Sequence, residues 1–240
     1  MHLKGKKILI TGASGGLGSA TVRALLANGA KVLGTALPGE TIEAEHENLI
    51  AHAADLRLER DVYHLFETAS RRWGSLDIAI NNAGVCPFGP IELERFEAMR
   101  DALLVNLRAV FLCTQLAARS MRRQRFGLII NISSNLASRS APNLAIYCST
   151  KRAVTLLSEA IGQQLAPFGV QVVAFEPGAI DTPLSRSLRD RLDTVLPSDI
   201  ERIPASEVAE AIVSLCRTSS AFDLARVCAR TRVKRDPRVD

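Results

Sequence analysis

Along most of its length the chain alternates short apolar runs with longer amphipathic stretches, and this alternation constrains the fold more than any other feature. Residues 6–11 (KKILIT) read as a buried strand, and residues 16–28 as a helix closed by Gly29. Further strands are expected at 31–35 and 49–53, a helix at 58–73, and a fourth strand at 76–81 (LDIAIN). A long helical tract is expected over 91–124, a fifth strand over 128–132, and a helix over 145–166. In that helix Val154, Leu157, Ile161 and Leu165 recur at three- to four-residue spacing, and Pro167 and Gly169 end it. A sixth strand at 171–175, an amphipathic helix at 206–217 and a weak seventh strand at 225–229 complete the pattern. Strands separated by helices pair in parallel, so the expected fold is α/β, a doubly wound parallel sheet of about seven strands with helices on both faces.

The 240 residues are 47% hydrophobic, enough for a sizeable core, and no linker, repeat or low-complexity tract divides them. One domain, 1–240, is expected. The stretch 182–204 is charged and irregular, as in a substrate lid. No uninterrupted apolar run approaches the roughly 18 residues that cross a bilayer, so no membrane partner is expected. Residues 1–7 lack the apolar core of a signal peptide, and the expected compartment is the cytoplasm. Five scattered cysteines without a CxxC pair, and four dispersed histidines, give no disulfide framework and no metal site. The net charge is +5, but residues 226–240 hold six bases and two acids and so account for +4 of it. The basicity belongs to the end of the chain, with a basic tail at about 230–240. A solvated terminus is preferred there over an anion-binding one, and no nucleic-acid partner is expected.

Between the first strand and first helix lies Thr11-Gly-Ala-Ser-Gly-Gly-Leu-Gly18. Glycines at such a turn let the backbone approach a pyrophosphate, and the helix N-terminus offers it free N–H groups and the positive end of a dipole. A glycine-rich turn can also cap a helix for structural reasons alone, but its place after an N-terminal strand favours a dinucleotide. Gly12, Ser14, Gly15, Gly16, Leu17 and Gly18 are the candidate contacts, in a GxxxGxG spacing that differs from GxGxxG.

Later segments follow the same order. Asn81-Asn-Ala-Gly84 ends the fourth strand, Ser134 follows the fifth, and Tyr147-Cys-Ser-Thr-Lys151 lies in the next helix. Pro177-Gly-Ala-Ile-Asp-Thr182 follows the sixth strand, and Asn106 lies within LVNLRAVF. A tyrosine four residues before a lysine means little alone. In a doubly wound sheet, however, the carboxyl ends of the strands converge on one crevice, and these segments share that edge. The set, spanning residues 6 to about 183, resembles the single-domain short-chain dehydrogenases/reductases, ketoacyl reductases among them, and implies a Rossmann-like sheet.

The resemblance implies an NAD(P)-dependent oxidoreductase that transfers a hydride between nicotinamide and a carbonyl or secondary alcohol. Its catalytic residues would be Asn106, Ser134, Tyr147 and Lys151. Tyr147 and Lys151, at i and i+4, share one helix face, and an ammonium beside the phenol would lower a pKa of about 10. Tyr147 would then serve as general acid/base. Ser134 would hydrogen-bond the substrate oxygen. By resemblance, Lys151 also holds the nicotinamide ribose and Asn106 completes a proton relay through water; a polar residue packed against strand ends is the other reading of Asn106. Pro177, Gly178, Ile180 and Thr182 would lie on the nicotinamide side, and Asn82, Ala83 and Gly84 on the adenosine-ribose side. Asp55 and Leu56 would lie near the adenine, although Asp55 could equally cap the following helix. A non-catalytic NAD(P)-binding sensor is the alternative, but such proteins tend to lose the tyrosine or lysine that this chain keeps. A lyase or isomerase on this scaffold would tend to need a longer chain.

The cofactor's phosphate is less defined. Ala36 ends the second strand where NAD enzymes usually carry an acid, and the first acid is Glu40. Gly15 stands where many NADP-dependent relatives carry a base, yet GAKVLGTA resembles NADP-dependent ketoacyl reductases; NADP(H) is favoured over NAD(H). Leu136, Leu144, Cys86, Phe88 and Ala179 would form an apolar substrate pocket. Arg139, Arg186 or Arg189 could receive an acidic substrate, although solvated pairs with Asp190 and Asp193 are preferred. The end of the chain lacks the VDGG-like segment of many relatives, and a homo-dimer or homo-tetramer is expected.

Overall fold

A computed structural model describes residues 2–188, 201–217 and 226–229. Strands β1 (Lys7–Ile10), β2 (Lys31–Ala36), β3 (Leu49–Ala53), β4 (Ile78–Asn81), β5 (Gly127–Ile132), β6 (Val170–Pro177) and β9 (Arg226–Ala229) form one sheet in the order β3-β2-β1-β4-β5-β6-β9. Every pairing in it is parallel. The chain runs outward from β1 to β3 and then returns to β4 on the other side of β1, so the winding reverses between β1 and β4. A crevice opens at that reversal.

The strands read as continuous apolar runs because both faces are covered. Ile8 and Ile10 pack with Val22 and Leu25 of α1 (Gly16–Ala27) and Ile212 and Val213 of the helix Ala205–Arg217. Leu9 points to the other face, joining Leu65 of α2 (Glu59–Trp73), Met121 of α4 (Val110–Gln124) and Leu165 of α5 (Ala145–Leu165). Each fully buried Ile or Leu contributes about 1.5–3 kcal/mol relative to exposure. β1 alone buries three such side chains completely.

The expected elements appear with altered edges. The tract 91–124 begins as a 3-10 turn at Ile91–Leu93, breaks, and resumes as α3 (Phe96–Ala102), which passes through a π-helical turn at Leu103–Ala109 into α4. By length and composition alone Phe96–Gln124 is apolar enough to cross a membrane. Counting uninterrupted apolar runs missed this, because a helix's mean hydropathy tolerates an occasional Arg108. In the fold its Leu112, Cys113, Ala117 and Met121 are buried against the protein. The stretch expected to be an irregular lid starts with order: Thr182 caps the short helix α6 (Pro183–Ser187), and β7 (Ile180–Asp181) pairs with β8 (Ile203–Pro204). The rest of that lid, with Arg189, Asp190 and Asp193, lies outside the described residues, as does the basic tail. Arg186 pairs with Asp181, at 2.8 Å.

Polar side chains also enter the middle of the sheet. Asn81 Nδ2 donates to Asn131 Oδ1 (2.7 Å), and Asn131 Nδ2 donates to Ser158 Oγ of α5 (2.9 Å). Thr114 Oγ1 of α4 joins the same group. A half-satisfied buried network costs more than an apolar one. Asn131→Ala therefore lowers the unfolding free energy by about 2–3 kcal/mol, measurable as a reduced denaturant midpoint with an unchanged m-value.

Candidate active site

The crevice at the β1/β4 reversal widens into a cavity of about 700 Å³ at the carboxyl edge of the sheet. Its base is a clasp. Thr11 Oγ1 accepts from the backbone N–H groups of Asn82 (3.0 Å) and Ala83 (3.1 Å), while Asn82 Nδ2 donates to the carbonyls of Thr11 (2.9 Å) and Gly12 (3.1 Å). The glycine-rich turn is thereby tied to the NNAG segment. A Cβ on Gly18 would come within 1.9 Å of the Gly12 carbonyl oxygen, so only glycine lets the turn close onto the helix. Gly16 faces Thr182 and Pro183, where a Cβ would fall 2.9 and 2.7 Å from their side chains. Its missing side chain thus makes room for the start of the lid, a use that the glycine pattern did not reveal. Helix α1 begins at Gly16 with no side-chain cap and no acid in its first turn, leaving its N–H groups and dipole toward the cavity.

Every residue expected to hold cofactor lines this cavity: Gly12, Ser14 to Gly18, Ala36, Asp55, Leu56, Asn82 to Gly84, Pro177, Gly178, Ile180 and Thr182. Ser134, Leu136, Leu144, Tyr147 and Lys151 line it as well, and so do Cys86 and Ala179. Phe88 does not. Asn106 does not either: it is fully buried at the centre of the π-helical turn. Its Nδ2 donates to the Val85 carbonyl (2.8 Å) and Thr150 Oγ1 (3.1 Å), and its Oδ1 accepts from Val85 N–H (2.8 Å). The side chain is therefore committed to positioning the segment after NNAG against α5, which supports the packing reading over a relay through the amide. Asp55 does not cap α2, whose N-cap is Leu58. Its carboxylate takes hydrogen bonds from Arg57, which hold it below the usual carboxylate range. Thr35, Leu37, Glu40, Arg57 and Asp101 also line the cavity, and sequence reading had not selected them.

The acid–base pair departs from expectation. Lys151 is 4% exposed, and its Nζ donates to the Ile132 carbonyl at 2.8 Å and lies 5.8 Å from the centroid of the Tyr147 ring. Burial pushes its ammonium down to about 8, with a smaller opposing effect from Cys86. Burial raises the Tyr147 phenol above its ordinary value; the Cys86 and Cys148 thiols add to this, and hydrogen bonding with Ser134 opposes it. Burial therefore acts on the two groups in opposite directions, lowering the lysine and raising the phenol. Ser134 Oγ accepts the Leu136 N–H at 3.1 Å, which fixes its rotamer at the cavity wall.

Residues 6–193 match the family model described as short chain dehydrogenase. The chain belongs to the short-chain dehydrogenase/reductase family. It is accordingly an NAD(P)-dependent oxidoreductase. It is 30% identical over 229 residues to the 3-oxoacyl-[acyl-carrier-protein] reductase FabG of Escherichia coli, covering 92% of this chain and 94% of that one. It is 33% identical over 228 residues to mouse (Mus musculus) dehydrogenase/reductase SDR family member 11, covering 88% of each. A crystal structure of 3-ketoacyl-(acyl-carrier-protein) reductase from Brucella melitensis complexed with NADH superposes with a TM-score of 0.83 at 31% identity, over 95% of this chain and 96% of that one.

The buried lysine makes stability depend on pH. Its folded pKa lies below the ordinary 10.5, so between pH 8 and 10.5 the unfolded chain holds a proton that the folded chain has released. Stability from this group is therefore absent below pH 8 and gained as pH rises through that window. Denaturant unfolding of the ligand-free protein at pH 8, 9 and 10 checks this. Wild type gains stability relative to Lys151→Met across the series, and the comparison cancels thiol titrations common to both.

Proposed function

We propose that the protein transfers a hydride between a nicotinamide and a small carbonyl or secondary-alcohol substrate, with Tyr147 moving the proton. The observation that carries this reading is the meeting of Ser134, Tyr147 and Lys151 on one wall of the cavity whose other end is the glycine-rich turn. A dinucleotide suits such a cavity. The uncapped N-terminus of α1 would take the pyrophosphate, and Pro177, Gly178, Ile180 and Thr182 would flank the nicotinamide, which when bound supplies or accepts the hydride.

The chain's own groups handle the substrate oxygen and its proton. Ser134 donates a hydrogen bond that orients the oxygen and stabilises the charge developing on it. Burial keeps the Tyr147 phenol protonated, and a protonated phenol beside Ser134 is a proton donor suited to carbonyl reduction. Lys151, anchored on the Ile132 carbonyl, sets the electrostatics under the ring. Asn106 acts as a positioning residue, holding Val85 and Thr150 in register. Leu136, Leu144, Val85 and Ala179 give the substrate end an apolar lining, in keeping with a hydrophobic carbonyl compound. The likeness to ketoacyl reductases points to that substrate class, and the GAKVLGTA segment, taken by itself, resembles NADP(H)-dependent ones. Cys86, Cys113, Cys148 and Cys216 are free thiols, in keeping with a cytoplasmic compartment.

Leu103 and Phe111 on the α3–α4 helix and Leu156 on α5 are large exposed apolar side chains on packed neighbouring helices. They suit a homo-oligomer contact of dimeric or higher order. Phe111→Asp shifts the protein to a smaller species in analytical ultracentrifugation without loss of secondary structure.

Tyr147→Phe lowers turnover by about 10²–10⁴-fold while the dinucleotide Kd changes little, because only the proton donor is lost. Absorbance assays with NADH and NADPH over ketones, aldehydes and alcohols, paired with fluorescence titration of cofactor, measure both quantities. Unchanged turnover in the variant refutes Tyr147 as the proton donor.

A further inference from the structure

We propose that Glu40 makes this site select NAD(H) over NADP(H), an inference that rests on the dinucleotide site proposed above. In doubly wound folds the adenosine 2′-oxygen meets the carboxyl end of the second strand, where an acid takes the ribose hydroxyl or a base takes a 2′-phosphate. Here β2 ends on Ala36 and is followed by Leu37, which can do neither. The chain then turns back. Leu37-Pro38-Gly39-Glu40 closes with a 2.9 Å hydrogen bond from Glu40 N–H to the Leu37 carbonyl, and Gly39 has φ +90°. Proline followed by a glycine at positive φ is the pattern of a rigid type II turn. It aims the Glu40 side chain at the glycine-rich turn, where Ser14 Oγ donates to Glu40 Oε2 at 2.5 Å. A carboxylate thus bridges the two walls of the adenosine end, supplied from four residues beyond the strand.

The surrounding charges point the same way. Asp55 and Asp101 line the same end of the cavity, and the base between them, Arg57, is paired with both, at 2.8 and 3.0 Å. Together with Glu40 this makes three carboxylates to one guanidinium. Among the described residues, the other bases lining the cavity stand elsewhere. Lys151 is tied to Ile132, and Arg139 and Arg202 belong to segments that follow β5 and precede β8. A ribose diol offers O–H donors to a carboxylate. A 2′-phosphate would bring two further negative charges, and among the described residues at this end the one base, Arg57, is already paired with two carboxylates. This reverses the preference for NADP(H) drawn from GAKVLGTA, because the deciding side chain arrives from outside that segment.

Fluorescence titration of wild type and Glu40→Gln with NADH and with NADPH tests the selection. Wild type is expected to bind NADH at least about tenfold more tightly, and Glu40→Gln to narrow the NADPH-to-NADH Kd ratio by about tenfold. Retained NADH binding shows that the variant is folded. Wild type binding NADPH as tightly as NADH, or an unchanged ratio in the variant, overturns the proposal while leaving the oxidoreductase reading intact. Loss of both affinities in the variant alone reduces Glu40 to a support for the glycine-rich turn and also overturns it. Failure of wild type to bind either dinucleotide overturns this proposal and the reading beneath it together.

Discussion

The site depends on four hydrogen bonds that tie Thr11 and Gly12 to Asn82 and Ala83 across the reversal of the sheet. A parallel sheet that changes winding direction must open between the two strands flanking the change. The clasp limits how far it opens at its base. Each bond is worth about 1 kcal/mol net, but leaving buried backbone groups unpaired would cost more. The clasp also sets the position of Gly84, whose Cβ, if it had one, would lie 3.3 Å from Asn106 Oδ1 and 3.4 Å from Lys151 Nζ. The glycine-rich turn and the acid–base residues are therefore parts of one continuous packing arrangement.

Burial, more than mutual attraction, governs the acid–base pair. It disfavours the charged form of each group, so it lowers the lysine and raises the tyrosine. The result is a pair drawn toward neutrality. Sequence spacing alone suggested the opposite for Tyr147, because i and i+4 placement speaks to proximity and says nothing of the surrounding dielectric.

The sheet was legible because its strands are buried on both faces and so stand out as apolar runs, β1 and β5 most plainly. The cavity-lining glycines, NNAG, Ser134, Tyr147 and Lys151 were legible because strand order alone brings them to one edge. The π-helical turn at 103–109 was not. Its cause is tertiary, in that Asn106 bonds to Val85 and Thr150, from segments 21 and 44 residues away in sequence. Asn82 lines the cavity as expected, and its Nδ2 also ties the clasp, a duty that no local pattern encodes. Glu40 was visible as an acid, and its Pro-Gly turn could be read locally. That the turn delivers it to Ser14 depends on how two loops pack, which no local pattern encodes.

None of the side-chain hydrogen bonds that hold Lys151 or Asn106 involves the side chains of Leu136, Arg139, Ala179 or Leu184 along the cavity wall. Even Ser134 is fixed through the backbone N–H of Leu136, whose side chain is free of that duty. The rim and the reacting groups are thus mechanically separate. Rim side chains can be exchanged for ones of different size or polarity without disturbing the anchored centre, which is the condition under which one scaffold can be retuned to new compounds while its chemistry stays constant.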